Sequence, residues 1–205
     1  MPIRHLTLSF SVSAFLCTAR AFAGPVVNFD PGVGGTGINS NQTLGWSFDV
    51  LDPVTVTDLA WFDQDADGLS MAHSVGIWNP SGQLVVSTLI PAGTAAALDG
   101  IWRVVPVQYI TLPVGNGYTA GGLNYATSTD RVAGGYLNHV LDQRIAYGES
   151  RYSPFGGQLQ RPTLPSAGFQ GLYGPGFNVI PVPEPATLAL TLPLAAFFLR
   201  CRNRR

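Results

Sequence analysis

Leu44, Trp46, Phe48 and Val50 alternate with Gly45, Ser47 and Asp49. Side chains of an extended strand point to opposite faces in turn, so this spacing puts four large apolar groups on one side. The stretch reads as a half-buried strand and points the rest of the chain towards a β class. Asp52-Pro53 breaks the chain; Val54-Thr55-Val56-Thr57 resumes it and runs on towards Trp61-Phe62. His73–Trp78 and Leu84–Ile90 flank Asn79-Pro80-Ser81-Gly82, a turn with proline at its second position and the clearest hairpin in the chain. Ile101–Leu112 and Tyr118–Ala126 flank a second turn, expected at Gly115-Asn116-Gly117. Val26–Phe29 reads as a brief opening strand and Gly176–Ile180 as a closing one. From Thr127 to Gly176 the pattern weakens between Gly134-Gly135, Gly156-Gly157 and Tyr173-Gly174-Pro175-Gly176, which predicts long loops with one or two edge strands. Short strands without a helical period predict an all-β domain over residues 24–180, a β-sandwich or jelly roll.

Composition narrows the choice of partner. Charged residues are 11% of the 205, against about 25% in an average soluble domain. Every one of the eleven basic residues is Arg. Residues 24–180 hold five Arg against ten Asp and Glu149, a net charge of −6. Such a body, with no basic cluster, does not suit nucleic acid, and it repels other polyanions unless a divalent cation bridges them. Cys17 and Cys201 both fall outside that span, so the domain has no disulfide.

The two ends read as addresses. Arg4 and His5 precede the apolar stretch Leu6–Cys17, and Ala21-Phe22-Ala23 is an A-x-A cleavage site. Residues 1–23 therefore read as a helical secretory signal peptide, with the mature chain starting at Gly24. At the other end, residues 181–205 begin with a stiff spacer and the motif Pro183-Glu184-Pro185. Ala186–Leu199 comes next, and the last residues include Arg200, Arg202, Arg204 and Arg205. As a helix, Ala186–Leu199 would rise only about 21 Å, short of the ~30 Å hydrocarbon core, and Pro193 interrupts it. The terminal Arg residues hold such a tail on the cytoplasmic side, so the segment suits a transient stay in the inner membrane better than permanent anchorage.

This order of features resembles the PEP-CTERM sorting signal of Gram-negative bacteria. The resemblance rests on Pro183, Glu184, Pro185, the stretch Ala186–Leu199, and Arg200, Arg202, Arg204 and Arg205. It implies recognition by an exosortase-type membrane peptidase, delivery to the cell surface or extracellular matrix, and a host that makes exopolysaccharide. A second resemblance lies in the body. Leu44-Gly45-Trp46-Ser47-Phe48, Asp67-Gly68-Leu69, His73-Ser74-Val75-Gly76-Ile77-Trp78 and Ser81-Gly82 are similar to the DUF4082-type domain, a β-sandwich of uncharacterised function in exported bacterial proteins. It implies a fold and no activity.

Asp63-Gln64-Asp65-Ala66-Asp67-Gly68 is the sharpest local feature. Three alternate carboxylates followed by glycine match the opening of a Ca²⁺ loop, with Asp63, Asp65 and Asp67 as ligands and Leu69 supplying its carbonyl. An EF-hand needs a Glu at the twelfth position, which is Ser74, and helices on both sides. What remains is an extracellular Ca²⁺ loop or a solvated acidic turn; no other cofactor is expected. Gly32-Val33-Gly34-Gly35-Thr36-Gly37 matches a dinucleotide fingerprint but lacks the following helix that would hold pyrophosphate. Ala72-His73-Ser74-Val75-Gly76 resembles a hydrolase nucleophile elbow, with His139 and Asp142 downstream, but it opens a strand rather than a helix. His73 reads as a satisfied strand-end residue. Trp46, Trp61, Trp78 and Trp102 read as core, with sugar stacking as the alternative role. With Glu149 the only Glu of the body, no carboxylate pair for glycoside hydrolysis stands out. The expected protein is an exported, non-catalytic component of the polysaccharide layer. A Ca²⁺-dependent carbohydrate-binding module and a secreted serine hydrolase are the alternatives.

Overall fold

The computed structural model of the chain describes residues 23–29, 38, 40–134, 139–167 and 171–182. The expected signal helix up to residue 22, the glycine run Gly32–Gly37 and the tail from Pro183 lie outside these residues. Among the described residues there is no helix, and the strands are β1 (Gly24–Pro25), β2 (Val27–Asn28), β3 (Gln42–Val50), β4 (Val54–Phe62), β5 (His73–Trp78), β6 (Leu84–Ile90), β7 (Ala97–Asp99), β8 (Trp102–Leu112), β9 (Gly115–Asn124), β10 (Val140–Leu141), β11 (Ile145–Tyr152), β12 (Leu164–Pro165) and β13 (Pro175–Pro181). They form a five-stranded sheet, β1-β13-β4-β8-β7, and a six-stranded sheet, β12-β11-β3-β9-β5-β6, with β2 and β10 as a small separate ribbon. The strand pairs are antiparallel, and the fold is a β-sandwich.

Large apolar side chains at alternate positions close the space between the sheets. Trp46 of β3 stacks on Phe177 of β13, and Phe48 packs on the same ring with centroids 5.1 Å apart. Trp61 of β4 lies flat on His73 of β5 at 3.7 Å. The Trp46 indole N–H donates to the carbonyl of Pro175 at 3.2 Å, so a bulky core group leaves no unmet donor there.

The hairpin of β5 and β6 runs over the expected residues. Asn79 Oδ1 accepts from Gln83 N and Ser81 Oγ, and Gly82 takes φ 86°, which its missing Cβ permits. Three expectations are corrected. The second turn falls at Pro113-Val114, and Gly115–Gly117 belongs to β9 as a bulge, where Gly117 N–H reaches Asp49 Oδ1 at 2.8 Å. Next, β3 is buried on both faces, because the outward residues Thr43, Gly45 and Ser47 are covered too. Ser47 is closed over by Gly148 and Glu149 of β11, and Thr43 by the stretch 153–163, tied down by Ser153 N to Thr43 O and Gln160 N to Thr43 Oγ1. Beneath it Gly76, Gly121 and Gly45 stand side by side on three adjacent strands. Added methyls at Gly121 and Gly76 would meet Pro162 at 2.9 Å and Leu159 at 3.4 Å. Lastly, the stretch read as loops contains β11, an interior strand between β3 and β12. A register shift between Tyr147 and Ser150 breaks its alternation.

The two described ends of the domain meet. Gly24, the expected mature start, pairs with Val179 of β13, two residues before that strand ends at Pro181.

Candidate functional site

The Asp63–Leu69 loop leaves β4 and closes around a side chain from the neighbouring strand. Arg103 of β8 lies opposite Trp61 and sends its guanidinium into the loop. Arg103 Nε donates to Asp63 Oδ2 at 2.7 Å, Nη2 to the Ala66 carbonyl at 2.9 Å and Nη1 to the Ala96 carbonyl at 3.2 Å. Both members of the ion pair are buried, Arg103 at 5% and Asp63 at 4% exposure. Gly68 N–H also donates to Asp63 Oδ2. The tight path demands positive φ at Ala66 (57°) and Gly68 (108°). A methyl at Gly68 would come within 2.8 Å of the Gly93 backbone. Leu69 and Gly93 exchange both backbone hydrogen bonds, so the Leu69 carbonyl accepts from Gly93 N–H. Asp65 and Asp67 are exposed. Among the described residues, no three of His, Cys, Asp and Glu come together as a metal-holding group. In this loop the guanidinium does what a bound cation does elsewhere: it gathers a carboxylate and backbone carbonyls around one positive charge.

A second charged node lies nearby. Asp130 Oδ2 is 2.8 Å from His73 Nε2 and accepts from Ser70 Oγ, Ser128 Oγ and Met71 N; Oδ1 accepts from Ser70 N at 2.7 Å. Burial alone would raise the Asp130 carboxyl. The hydrogen bonds from His73 and Ser70, with the charge of His73, outweigh burial and hold it well below the usual carboxylate range. The other ring nitrogen of fully buried His73 lies 2.9 Å from the Leu123 carbonyl. Both nitrogens thus face acceptors while the ring face lies on Trp61. The two nodes border one cleft of about 450 Å³, whose lining includes Asp65, Asp67, Ser70 and Arg131.

The hydroxyls of Ser70 and Ser128 donate to a carboxylate that holds its charge strongly, and such a group is a weak proton acceptor. Ser74 of β5 sits opposite Leu89 of β6. His139 packs on Tyr147 and Tyr173. Tyr147 belongs to β11, three strand spacings or about 14 Å across the sheet from β5. Asp142 is held by Arg144, whose hydrogen bonds lower its carboxyl against the effect of burial. The structure does not assemble Ser74, His139 and Asp142. All four Trp are buried and offer no outer platform.

Of the residues singled out in the sequence, Asp63, Asp65, Asp67 and Leu69 border the cleft, and His73 joins it from below through Asp130. Gly24 opens β1, and Ala23 is exposed just before it. Ala21, Pro183, Glu184, Pro185, Arg200, Arg202, Arg204 and Arg205 lie outside the described residues. Arg103 and Asp130 were not singled out. A lone Arg within Ile101–Leu112 is a legible sign that something acidic waits inside; nothing near Asp130 marks it. Comparison of the chain with family models, with curated proteins and with solved structures finds no match.

Proposed function

We propose that the chain is an exported, non-catalytic protein of the cell surface or extracellular matrix. In this reading the signal peptide of residues 1–23 is removed before Gly24. An exosortase-type peptidase then recognises Pro183-Glu184-Pro185 and the Arg-rich end while Ala186–Leu199 lies in the inner membrane. The sandwich, of the DUF4082 type, serves the exopolysaccharide layer as a structural or binding component. The observation that carries the reading is the order of features at the two ends: A-x-A after an apolar run, then Pro-Glu-Pro, a short apolar stretch and clustered Arg. Further support comes from the domain between them. Its first and last strands pair with each other, so the described chain enters and leaves the sandwich at one sheet edge. The buried ionic groups beside the cleft, Asp63 with Arg103 and Asp130 with His73, are engaged with one another, as suits a structural domain.

The test is processing in a host with an exosortase-type system. Replacing Glu184 by Ala, or deleting Arg200–Arg205, should leave a larger, membrane-retained form. Unchanged size and location in both variants would remove the sorting claim. Co-sedimentation of the processed protein with the host's exopolysaccharide tests the second half, and its failure leaves a protein partner as the role to pursue.

A further inference from the structure

The described chain enters and leaves the sandwich at the same end. Gly24 pairs with Val179, and Pro181, the last residue of β13, pairs with Val54 at the start of β4. Just beyond it, Val182 N–H donates to the Pro53 carbonyl at 3.4 Å. Two turns close this end: residues 51–53 join β3 to β4, and residues 113–114 join β8 to β9. Val50 pairs with Gly115 and Val54 with Leu112, so the turns stand side by side. Leu51 and Val114 are 51% and 60% exposed, and Pro53 and Pro113 are exposed too. Asp52, the one carboxylate in these turns, lies in the field of Arg144.

The opposite end is built otherwise. From Val54 to Phe62, β4 rises about 27 Å, and the loop with exposed Asp65 and Asp67 follows. Two exposed apolar side chains, Leu89 and Phe155, also belong to that far end. Leu89 pairs with Ser74 near the start of β5, and Phe155 precedes Gly156, whose N–H donates to the Asn41 carbonyl just before β3. An uncharged groove of about 500 Å³ runs between Val85–Thr88 of β6 and Pro106–Ile110 of β8, but β13, the strand that leads to the tail, pairs with neither.

Chain length selects what faces the exit end. The described residues finish at Val182, and the apolar stretch Ala186–Leu199 begins four residues on. Four residues reach at most about 14 Å when fully extended. The headgroup layer on one side of a bilayer takes up about 5–8 Å of that. We propose, on the reading that Ala186–Leu199 lies in the inner membrane, that this end of the sandwich is a lipid-facing surface. Leu51, Pro53, Pro113 and Val114 rest in the headgroup layer of the bilayer that holds the tail. Four apolar residues bind a bilayer weakly from solution, but a short tether holds them against it at an effective concentration of about millimolar. The same orientation keeps exposed Asp65 and Asp67 beyond the Debye length of about 10 Å from anionic lipid.

The experiment places a fluorophore on the full chain in vesicles of phosphatidylethanolamine and phosphatidylglycerol. Cys17→Ser and Cys201→Ser clear the background, and Leu51→Cys, Val114→Cys, Leu89→Cys, Phe155→Cys or Leu192→Cys then supplies one labelling position. The first four positions are exposed, so the labelled chains should melt with wild type. Lipid carrying a nitroxide at the headgroup should remove most of the emission at 51 and 114 and little of that at 89 and 155. A nitroxide deep in the acyl chain should quench the label at 192, which reports tail insertion separately. Quenching at 192 with none at 51 and 114, or equal quenching at all four surface positions, overturns the proposal and leaves the tail's membrane stay intact. No quenching at 192 removes that stay and this surface with it, whatever the other labels do. Labels at 51 and 114 that are shielded from aqueous iodide yet untouched by the headgroup nitroxide face a protein instead, and overturn the proposal too.

Discussion

The polar cleft and the β6–β8 groove are similar in size and opposite in character. In the cleft, charges that would be costly to bury are matched inside the chain: Asp63 by Arg103, and Asp130 by His73, two serines and two backbone amides. In the groove nothing is charged, and the outer side of β6 carries no bond among the described residues. Acidic residues in a cleft invite a functional reading, yet the groove is where the fold leaves bonding capacity open. The position of hydrogen-bond partners, more than residue type, separates a surface that is finished from one that is available.

The sharpest way to break this contrast is to unpair the cleft. Arg103→Met leaves Asp63 buried without its partner and should cost about 3–5 kcal/mol, read as a large fall in melting temperature. Leu89→Ala on β6, next to the groove, should change the fold's stability by less than about 0.5 kcal/mol, because the side chain is exposed. Equal losses in the two variants would erase the distinction.

Asp130 sharpens it through pH. Its carboxyl titrates lower in the folded chain than the ordinary value of about 3.9, so its contribution is full above that value. It is lost as pH falls below about 4 and towards the folded-state value. Asp130→Asn should therefore be less stable than wild type at pH 6 by about 1.5–3 kcal/mol, with the gap narrowing as pH falls towards 2. Melting curves that stay parallel over that range would show that the node is not held by this charge.

Gly121→Ala tests the covered sheet face. The new methyl meets Pro162 Cδ and Thr43 Cγ2 at 2.9 Å, which predicts a loss of about 1–3 kcal/mol and looser packing of residues 153–163. Proteolysis that begins within that stretch, before the rest of the domain is cut, would be its signature. A variant as stable and as resistant as wild type would mean that the stretch can shift at no cost.

The sandwich was legible because its strands carry strong local signals. Leu44 to Val50 alternate, and Asn79-Pro80-Ser81-Gly82 places a turn between β5 and β6 with the right chemistry at each position. β11 was not legible, since Gly148 and Glu149 form a bulge that interrupts alternation, and its pairing with β3 joins residues about a hundred positions apart. The burial of Thr43 depends on a cover supplied by residues 153–163, and that of Ser47 on the Gly148-Glu149 bulge of β11, which no local pattern announces. In the cleft, the acidic run Asp63–Asp67 was visible, but the partner that closes it comes from β8. A carboxylate cluster read along the chain shows only the acceptors. The donor that decides between a metal loop and an internal ion pair is a tertiary fact.

The smallest expected effect is the most telling. Melting temperature measured in millimolar CaCl₂ and again in chelator asks directly whether the Asp63–Leu69 loop still needs a cation. With Arg103 already bonded to Asp63 and to the Ala66 carbonyl, the two curves should coincide. A rise of several degrees with calcium, abolished by Asp65→Asn with Asp67→Asn, would contradict the account and return the loop to metal binding.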